Sequence, residues 1–209
     1  VNYGNSSATG MFLALNRNKK SICLNLKREE GREILLSLIA QSDVLIESFK
    51  PGMMSKLGLD YCRVKKTNPN IIYCHISGYG MSGPYSEKMQ HEGNISAIAG
   101  LTHMLSGSSD SNSFLGPSMT TSFSALSAIL ASLISRDKIG EGSFIDIAVL
   151  DTAIAMAAPM IGEVVSSEWR FTDSVFNSNY ARNTLYRCLC GKQVFFGAAE
   201  SRYFRSFLT

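Results

Sequence analysis

Apolar positions along this chain switch between two rhythms, and the switches outline its elements. Ser21-Ile22-Cys23-Leu24-Asn25-Leu26 is a short strand candidate. A helix is predicted from about Arg28 to Gln41, because Ile34, Leu35, Leu38 and Ile39 fall on one helical face. Asp43-Val44-Leu45-Ile46 reads as a second, buried strand. Pro51-Gly52 opens a short helix, and Asp60 is placed to cap another that runs to about Lys66. Asn70 to Ile76 reads as a third strand. Strand, helix, strand, helix, strand is the order of a doubly wound parallel sheet, so an α/β fold is predicted.

The second half continues the pattern. Ser77-Gly78-Tyr79-Gly80-Met81-Ser82-Gly83-Pro84 is a loop with three glycines in six residues, able to take positive φ or to let a ligand approach the backbone. It matches neither GxGxxG nor a P-loop. Helices are predicted from about Glu92 to Met104, from about Thr120 to Ser135 and from Asp151 to Gly162, with a strand at Phe144–Ala148 and a turn at Gly140-Glu141-Gly142. Ser106 to Ser113 is polar. Glu163 to Asn183 has few periodic signals and reads as a linker or crossover. Leu185 to Cys190 and Gln193 to Ala198, joined by Gly191-Lys192, form a predicted hairpin.

Composition narrows this picture. With 45% hydrophobic and 18% charged residues the chain is ordinary globular material. A net charge of +3 is too small to imply nucleic acid as a partner. Cations nevertheless cluster at Arg17, Lys19, Lys20, Lys27 and Arg28, and again at Arg63, Lys65 and Lys66. The five cysteines are odd in number and lack framework spacing, which argues against a secreted disulfide scaffold. Cys188-x-Cys190 has no second pair nearby, so no metal site is expected. The most apolar stretch, Ile145 to Ile161, is broken by Asp146, Asp151 and Pro159, so no membrane span is expected. The chain begins at Val1 and ends at Thr209 as a helix starts, and is therefore expected to be a fragment at both ends.

The order of several short motifs resembles the class III CoA-transferase family, which includes formyl-CoA transferase, carnitine CoA-transferase and α-methylacyl-CoA racemase. The resemblance rests on Leu15-Asn16-Arg17-Asn18-Lys19-Lys20-Ser21-Ile22, on Leu24-Asn25-Leu26-Lys27 and on Gly31-Arg32. It continues through Ser42-Asp43-Val44-Leu45-Ile46-Glu47-Ser48-Phe49-Lys50-Pro51-Gly52 and Asn68-Pro69-Asn70-Ile71-Ile72-Tyr73. Ser77-Gly78-Tyr79-Gly80-x-x-Gly83-Pro84 and Gly140 to Asp146 complete it. The resemblance implies a large Rossmann-like domain, here 1–162 and lacking its first strand, then a linker at 163–183. The start of a smaller α+β domain at 184–209 would follow, in an interlocked homodimer. A cytoplasmic location is implied, or a mitochondrial or peroxisomal one in a eukaryote.

The same resemblance assigns candidate site residues. Arg17, Lys19, Leu24, Asn25, Leu26 and Lys27 match the segment that lines the CoA nucleotide, and cations there suit its phosphates. Glu47, Ser48, Phe49 and Lys50 match a second CoA-contacting loop. Gln90-His91-Glu92-Gly93-Asn94 matches a racemase segment in which the histidine is a base, so Gln90, Glu92, Gly93 and Asn94 are candidate contacts and His91 the candidate acid–base group. Glu200, in Gly197-Ala198-Ala199-Glu200, matches a carboxylate that supports that histidine across the dimer. His75 and His103 are expected to be structural. The family places an aspartate just before the long helix; here that position falls on Pro117 or Ser118, and Asp110 lies too far upstream. The expected activity is racemase-like proton transfer at the α-carbon of a 2-methylacyl-CoA. The alternatives are CoA transfer between an acyl-CoA and a carboxylic acid, or a catalytically degenerate CoA-binding homologue. Coenzyme A enters as part of the substrate, with no tightly bound cofactor.

Overall fold

Three of the apolar runs pair into one parallel sheet. A computed structural model of the chain describes residues 9–102, 116–166 and 181–208. Strands β1 (Val44–Glu47), β2 (Ile72–Ser77) and β3 (Phe144–Ala148) lie in that order, with β2 in the centre. Val44 is in register with Ile72, and Tyr73 with Phe144. Helices cover both faces, so the predicted α/β architecture is present. Residues 103–115 and 167–180 lie outside the described residues, and with them the readings made for His103, Asp110, the polar loop and most of the linker.

One face of the sheet is closed by α2 (Glu29–Ile39), α3 (Met53–Lys56) and α4 (Tyr61–Thr67). Its core is Ile39, Met54, Leu59, Val64, Ile71 and Tyr73. The predicted capping by Asp60 is present, its Oδ1 accepting the Arg63 N–H at 3.0 Å. The other face receives α6 (Gly116–Ile139), whose Ala125 and Ile129 pack on Ile72 and Cys74. Helix α5 (Glu92–Ile98) joins α6 and α7 (Val149–Ser166), with Ile95, Leu101, Ala153 and Ala157 between them. The buried Thr121 and Thr152 hydroxyls, 2.7 Å apart, tie α6 to α7.

Several expectations change. Ser21 to Leu26 forms no strand: these residues pair with none of the described strands, and the segment ends in a turn in which Asn25 Oδ1 accepts the Lys27 N–H. Gly31 explains the proximity of that turn to α2, since a Cβ there would lie 2.3 Å from the Asn25 carbonyl oxygen. Pro51 sits in the turn before α3, whose N-cap is Gly52 at φ +79°. Helix α6 begins four residues before Thr120, with Pro117 in its first turn, a position that suits proline. It runs 24 residues and is long and apolar enough, by length and composition, to cross a membrane. Its serines and threonines masked that in a reading based on unbroken apolar runs. Helix α7 reaches Ser166, into the span expected as linker. The hairpin forms as predicted, with β4 (Asn183–Arg187) antiparallel to β5 (Gln193–Gly197), followed by α8 (Ser201–Leu208). A short helix, α1 (Gly10–Leu15), precedes all of these.

Two predictions follow from this packing. A Cβ on Gly142 would lie 2.1 Å from the Ile71 carbonyl oxygen, backbone that cannot yield without moving β2. Gly142→Ala should therefore lower stability by about 3 kcal/mol, measured as a lower urea midpoint at unchanged slope. Cys74 is fully buried, while Cys23, Cys62, Cys188 and Cys190 are exposed. Burial, helped by the charges of Asp146 and Glu47, pushes the Cys74 thiol up to about 11. At pH 8 a maleimide reagent should modify the four exposed thiols at least tenfold faster than Cys74. Because the folded pKa is raised, the stabilisation is complete below the ordinary thiol value near 9.0 and is lost as pH rises towards about 11.

Candidate active site

The carboxyl ends of parallel strands are where α/β sheets hold ligands, because loops there are free to diverge. Here β1 and β2 end beside a cleft of about 320 Å³. Ser48, Phe49 and Lys50 form one wall, and Ser77, Gly78 and Tyr79 the floor; Lys88 and Gln90 close the far side. Gly78 is required for this closure: a Cβ there would meet the Gln90 side chain at 2.1 Å. Gly80 is at φ +79° and turns the chain back over β3, where Asp146 Oδ2 accepts the Met81 N–H at 2.9 Å. Tyr79 and Tyr85 stack with centroids 5.4 Å apart, and Lys88 Nζ lies 4.7 Å over the Tyr85 ring. Two cations and a phenyl ring can hold a phosphorylated, partly apolar ligand.

A second cavity, about 350 Å³, lies under the same loop on the α3–α4 face, and Lys50 borders both. Glu47, His75 and Asp146 stand in one row across the sheet, each in register with the next. His75 Nδ1 lies 2.5 Å from Glu47 Oε1, with the His75 and Glu47 side chains only 2% and 7% exposed. The Tyr73 hydroxyl donates to the same oxygen at 3.4 Å, and the Phe49 N–H donates to Glu47 Oε2 at 2.8 Å. Burial first, then the Glu47 charge, raises the Tyr73 phenol above its ordinary value. His75 Nε2 is buried without a partner. This cluster was not singled out from sequence; only the β2 register, which aligns Glu47 with His75, reveals it.

The candidate residues separate into groups. Ser48, Phe49, Lys50 and Gln90 line the cleft together. Glu47 lines the second cavity instead, with both carboxylate oxygens engaged. Arg17, Lys19, Leu24, Asn25, Leu26 and Lys27 are not among the residues lining the cleft. Lys19 Nζ donates to Asn16 Oδ1 at 3.2 Å, and Leu26 packs against the α2–α4 core. His91 is exposed at the N-cap of α5 and makes no capping bond. Gly93 and Asn94 are exposed in the first turn of that helix. Glu200 pairs with Arg202 Nε at 2.8 Å beside α8.

Glu92 is the exception. It is half-buried, and it accepts two hydrogen bonds from the start of α6: the Ser118 N–H to Oε1 at 3.0 Å and the Ser118 hydroxyl to Oε2 at 2.9 Å. So Ser118, one of the two residues standing where the resemblance places an aspartate, has a carboxylate in its grasp. Their separation of 26 positions hid this from the sequence. Among the described residues no cluster of three His, Cys, Asp or Glu side chains could hold a metal.

These features define an α/β fold with a cleft at the carboxyl ends of its parallel strands. The profile of CoA-transferase family III matches residues 2–209, and the chain belongs to that family. Human succinyl-CoA:glutarate CoA-transferase is 37% identical over 166 residues, 76% of this chain and 38% of that protein. Acetyl-CoA:oxalate CoA-transferase of Acetobacter aceti is 34% identical, over 69% of this chain and 38% of its own. A crystal structure of a CAIB/BAIF family protein from Brucella suis superposes with a TM-score of 0.74 at 33% identity, covering 84% of this chain and 48% of that one. The chain thus spans less than half the length of these relatives.

The buried pair yields a prediction. Glu47→Ala would leave the His75 ring without its partner inside the fold, at a cost of about 1–3 kcal/mol. Glu47→Gln, which keeps a hydrogen bond, should lose much less. Urea unfolding of the two variants would separate the effects.

Proposed function

We propose that this chain carries the acyl-CoA cleft of an enzyme that moves CoA between an acyl-CoA and a carboxylic acid. The observation that carries this reading is the cleft itself, with Lys50 and Lys88 at its rim, in a chain whose relatives are named CoA-transferases. Lys50 and Lys88 pair with phosphate, Phe49 offers an apolar surface, and the Ser77–Tyr79 backbone follows the extended arm. CoA is part of the substrate. The racemisation suggested by His91 has weaker support: that side chain is exposed, has no capping bond, and none of the relatives described above is named as a racemase.

Incubation of the intact protein with succinyl-CoA and glutarate should produce glutaryl-CoA, followed by liquid chromatography. A parallel incubation of a 2-methylacyl-CoA in D2O should leave its α-carbon undeuterated. Deuterium uptake without CoA transfer would overturn the transferase reading in favour of proton exchange at His91. Lys50→Ala should raise the KM for the acyl-CoA by about tenfold, the loss of one charge-assisted hydrogen bond, with little change in kcat.

A further inference from the structure

Resting on the transfer reading, we infer that Glu92 is the carboxylate nucleophile of this protein, held in place by Ser118. Moving CoA between two acids requires a group that carries the acyl unit while CoA changes partner, and a carboxylate can do so as a mixed anhydride. Most other carboxylates with described contacts are committed elsewhere. Glu47 is locked to His75, and Asp43 pairs with Arg136 at 3.0 Å. Asp60 caps α4, Asp146 holds the Met81 amide, Glu141 pairs with Lys65, and Glu200 with Arg202.

Three features favour Glu92. Both of its hydrogen bonds come from uncharged donors of one residue, Ser118, so no cation compensates its charge through them. The α6 N-terminus adds a favourable dipole beside the carboxylate. Its location also fits: Gln90 lines the cleft, and two residues of backbone span at most about 7 Å. The space beside the following residue is open, since a Cβ on Gly93 would meet no atom within 4 Å.

The chemistry balances without an added reactant. A Glu92 carboxylate oxygen attacks the thioester carbonyl carbon, the C–S bond breaks, and CoA leaves as thiolate. The thiolate then attacks the Glu92 carbonyl carbon of the anhydride. This releases the first acid as its carboxylate and leaves Glu92 as a CoA thioester. The second acid's carboxylate attacks that thioester, expelling the thiolate and forming a new anhydride. Thiolate attack on the new acyl carbon gives the product acyl-CoA and regenerates Glu92. The Ser118 N–H and O–H are positioned to donate to the oxyanion that develops on the Glu92 carboxyl group in the second and third steps.

The test traps the intermediate. The intact protein is treated with succinyl-CoA and hydroxylamine, digested, and mapped by mass spectrometry. A hydroxamate on the peptide containing Glu92 is expected. Glu92→Gln should lose the adduct and lower kcat for succinyl-CoA to glutarate transfer by on the order of 10³-fold or more. The double variant Glu92→Gln with Ser118→Asp returns a carboxylate to the α6 N-terminus; it should recover at least tenfold in kcat and move the adduct to position 118. Transfer by the wild type with no adduct at Glu92, or Glu92→Gln within tenfold of wild type, would overturn the inference while leaving the transfer reading intact. Absence of transfer by the wild type would overturn both. If Glu92→Gln fails to fold, the wild-type adduct map decides alone.

Discussion

The central strand β2 has to satisfy two helical layers at once, and everything else is arranged around its alternation. Ile72 and Cys74 face α6, while Tyr73 and His75 face α3, α4 and the cavity beneath the loop. Because side chains alternate strictly along a strand, one residue of slip would put His75 into the apolar α6 interface and Cys74 beside Glu47. The register therefore fixes where the polar groups go. It also fixes the site, because the loop that follows β2 starts from the position that His75 and Ser77 set.

The Glu47–His75 pair is the polar consequence of that constraint. Two side chains this deeply buried are costly unless each satisfies the other. Glu47 resolves more of the difficulty than His75 does. Its Oε1 serves both His75 and Tyr73, and its Oε2 holds the Phe49 amide, so one carboxylate orients the loop that becomes the cleft wall. A residue matched by resemblance to a ligand contact thus acts one layer down, shaping the wall formed by Ser48, Phe49 and Lys50.

Much of the fold was legible because apolar periodicity is local. The runs at Asp43–Ile46, Asn70–Ile76 and Phe144–Ala148 became the three parallel strands within a residue or two, and Asp60 capped the helix it preceded. The strand expected at Ser21–Leu26 failed because pattern alone does not supply a pairing partner. Helix α6 was drawn short because its first turn is Gly116-Pro117-Ser118, residues that read as loop until the proline is recognised as a first-turn residue. The site was legible only where it was contiguous. Ser48 to Lys50 and Gln90 could be found as stretches of sequence, whereas Glu47 with His75, and Glu92 with Ser118, are joined across 28 and 26 residues by register and helix packing.

The Glu92–Ser118 contact also restricts which of its two members can react. A serine becomes a nucleophile when a base takes its proton, and that works best when the base titrates near the working pH. Carboxyl groups ordinarily titrate near about 4.3, well below that range, so a glutamate is a poor activator of a hydroxyl. The Ser118 hydroxyl and amide both donate to the carboxylate. With so weak a base as partner, Ser118 is the holder and Glu92 the group with electron pairs to give. A serine at the start of α6 therefore does not remove a carboxylate from that place, because the neighbouring helix α5 supplies one to the same amide.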